Sequence, residues 1–256
     1  MVIIWILVGL LLLSVYGKWV ILILLSPVII MHLRRERRIS NRIYENDQKI
    51  LRGEEKVPQW IPCKQKNFFK KSIGLLIDYL ASFERYILLE VGYLPSHSLR
   101  KIIYKYIFLV KMKKGAVIYY GAEIRGSYNL FLEKGAIVGD RCVLDARRGY
   151  IKIGKNVQLG NFVNLWTGSH DYNDPYFRSM PGKRGPIEIE DYCWLGPRST
   201  VLYSVIIGKG AVVGAGSIVT KNVSAYSIVT GIPAKKVAER SKELYYKLGS
   251  KHLHFY

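Results

Sequence analysis

One histidine stands in a sequence context suited to catalysis. His170 lies in the segment Ser-His-Asp-Tyr-Asn-Asp-Pro at residues 169–175. A neutral imidazole near physiological pH can take a proton from a hydroxyl group. The segment interrupts a regular pattern that resumes after Pro186. An excursion of about 17 residues is long for a compact repeat, which favours a functional role. The remaining histidines, His32, His97, His252 and His254, have no such setting.

The pattern that this loop interrupts has a period of six residues. A glycine directly follows several of its aliphatic positions, and a small or β-branched residue comes four places after each one. An α-helix has no such period, whereas short strands joined by tight corners do, and three hexads would make one triangular coil. A weaker and partly out-of-phase version precedes it, as is common at the ends of solenoids. The regular aliphatic positions are Ile153, Leu159, Leu165, Ile189, Leu195, Val201, Ile207, Val213 and Val219.

Two segments near the C-terminus resemble a known family. The coils over residues 194–223 are similar to the C-terminal coils of the hexapeptide-repeat acyltransferases, and residues 226–235 resemble that family's closing motif. The resemblance covers about residues 115–240 and is nearest to the maltose and galactoside O-acetyltransferases and their exopolysaccharide-modifying relatives. It implies a mainly β fold, a left-handed parallel β-helix that assembles as a homotrimer.

The resemblance also implies a reaction and its donor. A histidine at the place of His170 is the general base in that family, where the acceptor hydroxyl attacks the acyl thioester directly. Acetyl coenzyme A would be the donor, bound between subunits without a metal ion. The residues expected along the donor groove are Trp194, Gly196, Gly214, Ala215, Lys221, Lys235 and Lys236. Each lysine could equally be an ordinary exposed charge.

Candidates for contact with the acceptor flank the histidine. Asp145 follows a short aliphatic segment one coil earlier and is a candidate for binding a sugar hydroxyl or orienting His170, although it could equally cap a turn. Trp166 could stack on a sugar ring or pack under the loop. Asn164 is a weaker acceptor candidate, and Asp171 is a candidate for orienting His170.

The first thirty residues indicate a membrane anchor. Residues 2–31 are almost wholly apolar, with neither a charged start nor a small-residue cleavage site, and are longer than a signal-peptide core. Lys18 would cost about 3 kcal/mol at the bilayer centre. We therefore expect residues 1–33 to form either one tilted helix or two legs bent near Gly17. A buried core helix is the alternative. The basic run at residues 34–38 predicts that the remainder of the chain is cytoplasmic.

Between anchor and repeat, residues 34–110 are predicted to be a basic linker with amphipathic helices. Helical spacing of apolar residues runs from Phe68 to Val91, and a second helix is expected from Ser98 to about Val110. These helices could lie on a membrane surface or pack against the β-helix. The acyltransferase domain is predicted over residues 111–240, followed by a helical tail at 241–256.

Charge and cysteine content limit the function further. The chain has 39 Lys and Arg against 19 Asp and Glu, a formal charge of +20 that suits an anionic partner. We find no nucleic-acid recognition motif, and membrane lipids account better for the basic clusters. Cys63, Cys142 and Cys193 form neither a C-x-x-C pair nor a disulfide framework, and the last two are interpreted as packing residues.

Together these observations predict a membrane-attached acyltransferase with a cytoplasmic catalytic domain. It would move an acetyl or other acyl group from acyl coenzyme A to a sugar hydroxyl, on a lipid-linked or surface polysaccharide. The alternatives are N-acylation of an amino sugar and a catalytically inactive membrane-bound scaffold. A zinc enzyme on the same fold is disfavoured because only His170 lies within the repeat.

Overall fold

The computed structural model describes residues 2–56 and 68–249. Cys63, His252 and His254 lie outside the described residues, as does the end of the predicted tail. Residues 241–249, the described part of that tail, contain no helix.

Within the described residues, three α-helices precede the β-helix. They are α1 (Val2–Leu51), α2 (Phe68–Gly92) and α3 (His97–Tyr106). Of the two anchor geometries that the sequence left open, the structure has one continuous helix, with Pro27 inside it. The helix continues beyond the apolar segment to Leu51, so the first part of the predicted linker is helical. Ser96 caps α3 by accepting a hydrogen bond from the amide of Leu99 at 3.3 Å.

Residues 111–239 wind into a parallel β-helix that ends in a hairpin. The chain visits three sheets in turn, so that each strand up to β16 pairs in parallel with a strand of the neighbouring coil. The strand orders are β1-β4-β7-β10-β13 in the first sheet, β2-β5-β8-β11-β14-β16-β17 in the second and β3-β6-β9-β12-β15 in the third. Strands β16 and β17 pair antiparallel with each other, as a closing hairpin. The strands are β1 (Lys111–Met112), β2 (Val117–Ile118), β3 (Glu123–Arg125), β4 (Leu130–Leu132), β5 (Ile137–Val138), β6 (Val143–Asp145), β7 (Ile151–Ile153), β8 (Gln158–Leu159), β9 (Asn164–Trp166), β10 (Ile187–Ile189), β11 (Trp194–Leu195), β12 (Thr200–Val201), β13 (Val205–Ile207), β14 (Val212–Val213), β15 (Ile218–Val219), β16 (Ser227–Gly231) and β17 (Ala234–Glu239).

The predicted six-residue pattern fills the interior of these coils. Leu144, Leu165 and Val201 occupy matching register positions on successive strands of the third sheet, and each is fully buried. Every aliphatic position of the regular repeat is buried in the same way. The predicted fold class, a hexapeptide-repeat β-helix preceded by a long apolar helix, is therefore confirmed.

The corners between the second and third sheets turn through left-handed backbone. The third residue after each strand there has a positive φ, including Phe162 and Arg198, both at 61°. Glycine takes this conformation without cost, whereas other residues adopt it only where the surroundings impose it. The parallel ladders on either side supply that constraint.

Helix α1 is fixed to the first coils by its polar half. The Arg37 guanidinium donates to the carbonyl oxygens of Tyr128, at 2.6 Å, and Leu109, at 3.0 Å. One turn further along, the Ser40 hydroxyl accepts a hydrogen bond of 2.7 Å from the Asn129 amide. These contacts join the helix to the corner between β3 and β4 and, through Leu109, to the segment just before β1.

The same face of α1 continues past two further corners. Tyr44 packs edge-on against Tyr150, with ring centroids 6.0 Å apart, and Asp47 forms a bidentate ion pair with Arg184. Contacts three or four residues apart on a helix lie roughly 5.4 Å apart, and neighbouring coils lie roughly 4.8 Å apart. Because these spacings nearly agree, one stripe of α1 meets three successive coils.

Helices α2 and α3 pack on the β-helix through one face and expose another. Ile87 and Val91 of α2 and Tyr104 of α3 are completely buried in the common core. The packing interpretation therefore holds for one face of these helices. Their other face carries exposed apolar and aromatic side chains, namely Leu75, Tyr79, Tyr86, Leu89, Leu99, Ile102 and Tyr106.

A carboxyl group is buried where α2 meets α1. The Glu84 carboxylate lies 3.9 Å from Nε2 of His32. Burial, assisted by the nearby charge of Glu36, raises the pKa of Glu84 to about 7. The ionised form of this side chain therefore opposes folding at neutral pH and above.

Replacing Glu84 with Gln should stabilise the protein in a pH-dependent way. The folded-state pKa of about 7 exceeds the ordinary value of 4.5, so wild-type stability falls as pH rises between these values and stays low above them. We expect E84Q to gain on the order of 2 kcal/mol at pH 8 and almost nothing at pH 4.5. Thermal unfolding in detergent at both pH values measures this. Glu45→Gln, at an exposed position of α1, is the control. A gain of equal size at both pH values would contradict the prediction.

Candidate active site

The loop containing His170 leaves the β-helix after β9 and returns at β10. Its two ends are held together, because Gly168 and Arg184 form an antiparallel bridge and the amide of Ser169 donates to the carbonyl oxygen of Lys183 at 2.7 Å. His170 is the next residue beyond this closed base and is exposed. The coil interior is filled, so the loop places the imidazole outside, at the edge between the third and first sheets.

The orientation of His170 is set by Phe177. Nδ1 of the imidazole lies 2.6 Å from the carbonyl oxygen of Phe177, and the two rings stack at a centroid distance of 4.5 Å with an interplanar angle of 1°. A carbonyl oxygen only accepts hydrogen bonds, so Nδ1 carries the proton in the neutral ring. Nε2 then carries its lone pair as a hydrogen-bond acceptor, which is the tautomer that a general base needs.

Phe177 is itself held by a turn within the loop. Its amide donates to the carbonyl oxygen of Asp174 at 2.8 Å, and its φ is 51°. The Asp174 carboxylate pairs with Arg178 at 2.7 Å and accepts from the amide of Tyr176 at 2.7 Å. Arg178 accordingly holds the pKa of Asp174 below its usual range. The loop therefore presents the Phe177 carbonyl through its own internal bonds.

Asp171 was predicted to orient His170, and the structure places its carboxylate elsewhere. Oδ1 of Asp171 accepts a hydrogen bond of 3.1 Å from the amide of Asn173. The orienting group is the main-chain carbonyl of Phe177, which no pattern of residue types reveals. Sequence neighbours on a loop point in different directions, and here the useful contact comes from seven residues away.

Arg148 is a site residue that the sequence did not reveal. Its Nη2 lies 3.5 Å from Nε2 of His170, at the outer limit of a hydrogen bond. The stem of Arg148 crosses the backbone of Gly168, where an added Cβ would lie 2.5 Å from Cδ of the arginine. A glycine is needed at this place for Arg148 to reach the histidine. The two residues belong to neighbouring coils, a relation that only the register of the strands establishes.

Asp145 acts on the site through its backbone. Its buried carboxylate pairs with Arg147 at 2.6 Å and lies 3.7 Å from Arg125. Its carbonyl oxygen accepts from both the hydroxyl (2.6 Å) and the amide (3.1 Å) of Thr167. Asp145 is aligned with Trp166 on the next coil, and the Arg125 guanidinium lies 5.4 Å from that indole ring. The carboxylate that we predicted for an acceptor hydroxyl is thus engaged by two arginines.

Asn164 lies two residues before Trp166 on the same strand. Its side-chain amide donates to the carbonyl oxygen of Phe162 at 3.3 Å, and it is half-buried. This contact holds the corner before β9 and leaves the oxygen of the amide for other partners.

The donor candidates lie at a different edge of the same chain. Trp194 is 47% exposed on the outer face of the second sheet, and Gly196 and Ala215 stack at the corner that follows it. An added Cβ at Gly196 would lie 2.6 Å from the amide nitrogen of Ala215, so a close approach of coils requires this glycine. At Gly214 an added Cβ would lie 2.6 Å from the side-chain methyl group of Thr230. The third sheet separates this corner from His170.

The three candidate lysines are all exposed. Lys221 lies in the turn after β15, and Lys235 lies in the closing hairpin. Lys236 pairs with Glu239 at 2.6 Å. All three come after β15, at the C-terminal end of the β-helix, whereas the His170 loop comes before β10.

The two described cysteines are interior packing residues. Cys142 and Cys193 are fully buried and unpaired, and burial raises the pKa of each thiol to about 12. Neither is therefore suited to nucleophilic attack. Across residues 2–56 and 68–249, no three His, Cys, Asp or Glu side chains are grouped as a metal site.

Comparison with known proteins supports the predicted family. Residues 186–221 match the family model described as bacterial transferase hexapeptide (six repeats). A Schizosaccharomyces pombe protein provisionally named an acetyltransferase is 39% identical over 93 residues, which are 36% of this chain and 45% of that protein. The chain spans about half the length of the curated relatives it matches.

Solved structures share the fold. A hexapeptide-repeat acetyltransferase from Vibrio cholerae superposes with a TM-score of 0.58 at 21% identity, covering 65% of this chain and 94% of that one. That protein has also been solved with acetyl coenzyme A. A maltose O-acetyltransferase from Clostridium difficile gives 0.51 at 22% identity, covering 64% and 89%. The chain thus carries the hexapeptide repeat of the bacterial transferases, as its motifs predicted.

Removing the ion pair between Asp47 of α1 and Arg184 of the loop should make the candidate site less rigid. Asp47→Asn removes the charge that Arg184 meets at the base of the loop, and we expect a loss of about 1–3 kcal/mol in unfolding free energy. Hydrogen exchange should rise in residues 167–186. Arg184→Gln should have a similar effect, and the double variant should lose little more than either single one. Fully additive losses would mean that the two side chains do not act together.

Proposed function

We propose that this protein transfers an acyl group, in the first instance acetyl, from acyl coenzyme A to a hydroxyl group of a sugar. The observation that carries the proposal is the state of His170. Its Nδ1 is committed to the carbonyl oxygen of Phe177, which leaves Nε2 as a proton acceptor on an exposed loop. The hexapeptide repeat and the acetyltransferase names of its relatives support the same reaction class.

In the proposed mechanism His170 acts once as a base and once as an acid. Nε2 takes the proton of the acceptor hydroxyl as its oxygen attacks the thioester carbonyl, and a new C–O bond forms. The tetrahedral intermediate then collapses, the C–S bond breaks, and the imidazolium returns the proton to the departing thiolate. The carbonyl of Phe177 stabilises the imidazolium formed between these steps, because it accepts the Nδ1 proton throughout.

The arrangement of the donor candidates supports a homotrimer. Trp194, Gly196 and Ala215 lie at one edge of the β-helix and His170 at another. A direct transfer needs the thioester within bonding reach of the acceptor oxygen. In a trimer with threefold symmetry, the donor edge of one chain can face the His170 edge of its neighbour. We propose that coenzyme A binds in that groove.

Attachment to a membrane is the second part of the proposal. Within the described residues, one helical segment, Tyr16–Leu51, is long and apolar enough to cross a bilayer by length and composition. Much of its apolar surface is exposed, as at Val20, Ile23 and Leu24. The exposed apolar and aromatic faces of α2 and α3 suit a membrane surface.

The position of Lys18 fits a helix within or near a bilayer. Its ammonium group forms an ion pair with Glu90 of α2. The rings of Trp19 and Tyr86 lie 5.7 and 5.9 Å away. A paired charge flanked by aromatic rings costs less to bury than a free one. The basic run at residues 34–38, which follows the apolar part of α1, favours a cytoplasmic catalytic domain, and thus a lipid-linked or nascent glycan as acceptor.

Replacing His170 with Ala tests the chemistry. We expect kcat with acetyl coenzyme A and a glycan acceptor to fall about 10²–10⁴-fold, the usual contribution of a general base. Release of free thiol and the mass of the acceptor measure the loss. Tyr172→Phe, in the same loop and 76% exposed, is the matched control and should retain activity.

Three other outcomes would count against the proposal. Unchanged activity in H170A would show that His170 is not the general base. Transfer to an amino sugar nitrogen, with none to hydroxyls, would show N-acylation. If the protein neither binds coenzyme A nor transfers an acyl group to any glycan of a broad panel, the result would favour a catalytically inactive scaffold.

Flotation with liposomes tests the attachment. Leu24→Arg places a charge on the apolar part of α1, where the side chain is 71% exposed, and should cost about 3 kcal/mol if this part enters the bilayer. We expect it to reduce the fraction of protein that floats with vesicles. Asn41→Arg adds the same charge on the exposed polar half and should float normally. Equal flotation of both variants would contradict insertion of the apolar part of α1 into the bilayer.

A further inference from the structure

Three arginines surround the base of the His170 loop, and they differ in their partners. Arg147 pairs with Asp145, and Arg184 pairs with Asp47. Arg148 has no carboxylate within ion-pair distance among residues 2–56 and 68–249. Two of the three guanidinium groups are thus neutralised by carboxylates of the protein. The third, that of Arg148, approaches His170 and has no such partner among the described residues.

Contacts with the preceding end of the loop hold the unpaired guanidinium of Arg148 in place. The Arg148 stem lies against the backbone of Gly168, and its amide donates to the hydroxyl of Thr167 at 3.2 Å. The side chain is half-buried. Nη2 reaches to 3.5 Å from Nε2 of His170, the atom that must receive the acceptor proton. Any acceptor hydroxyl bound to Nε2 therefore has its neighbouring substituents beside this positive charge.

We propose that Arg148 binds a carboxylate on the acceptor, next to the hydroxyl that His170 deprotonates, so that the preferred acceptor is an acidic sugar. This inference rests on the proposed acyl transfer to a sugar hydroxyl. A planar guanidinium matches a carboxylate through two parallel hydrogen bonds, and one unpaired charge balances one carboxylate. Both contacts fit one sugar ring, because the two nitrogens are 3.5 Å apart.

The electrostatic setting of Arg148 agrees with a ligand of this kind. Burial and the neighbouring charges of Arg147 and Arg184 lower the pKa of its guanidinium. A carboxylate would offset this repulsion, whereas a neutral acceptor would leave it in place.

A matched pair of acceptors tests the inference. A uronic-acid-containing oligosaccharide is compared with the same oligosaccharide after its carboxyl groups are reduced to hydroxymethyl groups. We expect the full-length wild-type protein to have about a 10- to 100-fold higher kcat/KM for the acidic form, as expected for one charged hydrogen-bonded pair. The preference should shrink as salt is added. Arg148→Gln should remove it by lowering kcat/KM for the acidic form alone.

Controls separate recognition from structural damage. Arg148→Lys keeps the charge but not the fork, and should retain an intermediate preference. Arg42→Gln, at an exposed position of α1 outside the β-helix, removes a surface arginine and should leave the preference unchanged. Thermal unfolding and coenzyme A binding show whether each variant is folded and still binds donor.

The outcomes are distinct from those for the proposed function. Equal losses on both acceptors in R148Q would assign Arg148 to the reaction in general, and no preference in the wild type would also overturn the inference, while transfer itself would stand. If neither oligosaccharide nor any other glycan is acylated, the proposed function fails, and the acceptor preference fails with it.

Discussion

The filled interior of the β-helix is the constraint on which the remaining structure depends. Leu144, Leu165 and Val201 stack in register with no space between coils, and parallel strands fix the separation of the coils. Nothing can bind inside such a prism. Every group available for chemistry must therefore project from a corner or leave the coil as a loop, and the loop between β9 and β10 does this.

The candidate site is assembled from parts that lie far apart in sequence. His170 comes from the loop, Arg148 from the preceding coil, and the anchoring carboxylate of Asp47 from α1. Two backbone carbonyls give the site its geometry. The carbonyl of Asp145 holds Thr167 just before the loop, and that of Phe177 holds the imidazole. The side chains carry the groups that the proposed reaction needs, and main-chain atoms from other turns fix their positions.

The sequence predicted the fold because the fold is periodic. A six-residue repeat of aliphatic side chains admits few structures, and the loop stood out as its interruption. The site was predictable only in part. His170 stood out by its setting, but the partners assigned to Asp145 and Asp171 were those suggested by residue type, and both carboxylates are bound elsewhere. Arg148 was missed because its contact with Gly168 depends on which residues face each other across two coils.

The long helix presented the opposite difficulty. Its apolar half was evident from composition, whereas its polar half, from Arg37 to Asp47, was assigned to a linker. Basic and polar residues at helical spacing carry little hydrophobic signal. What makes this half a helix is the set of bonds along one stripe, to corners that follow one another in space.

That stripe changes how the coils come apart. In a solenoid each coil touches only its neighbours, so the ends can fray one coil at a time. Here the single helix α1 is bound to the β3–β4 corner, to Tyr150 and to the base of the His170 loop. If one of these three coils opens, its contact with α1 is broken or strained, because α1 stays bound to the other two coils. The N-terminal coils and the loop should thus exchange their amide protons as one cooperative unit, while the C-terminal coils beyond the reach of α1 open independently.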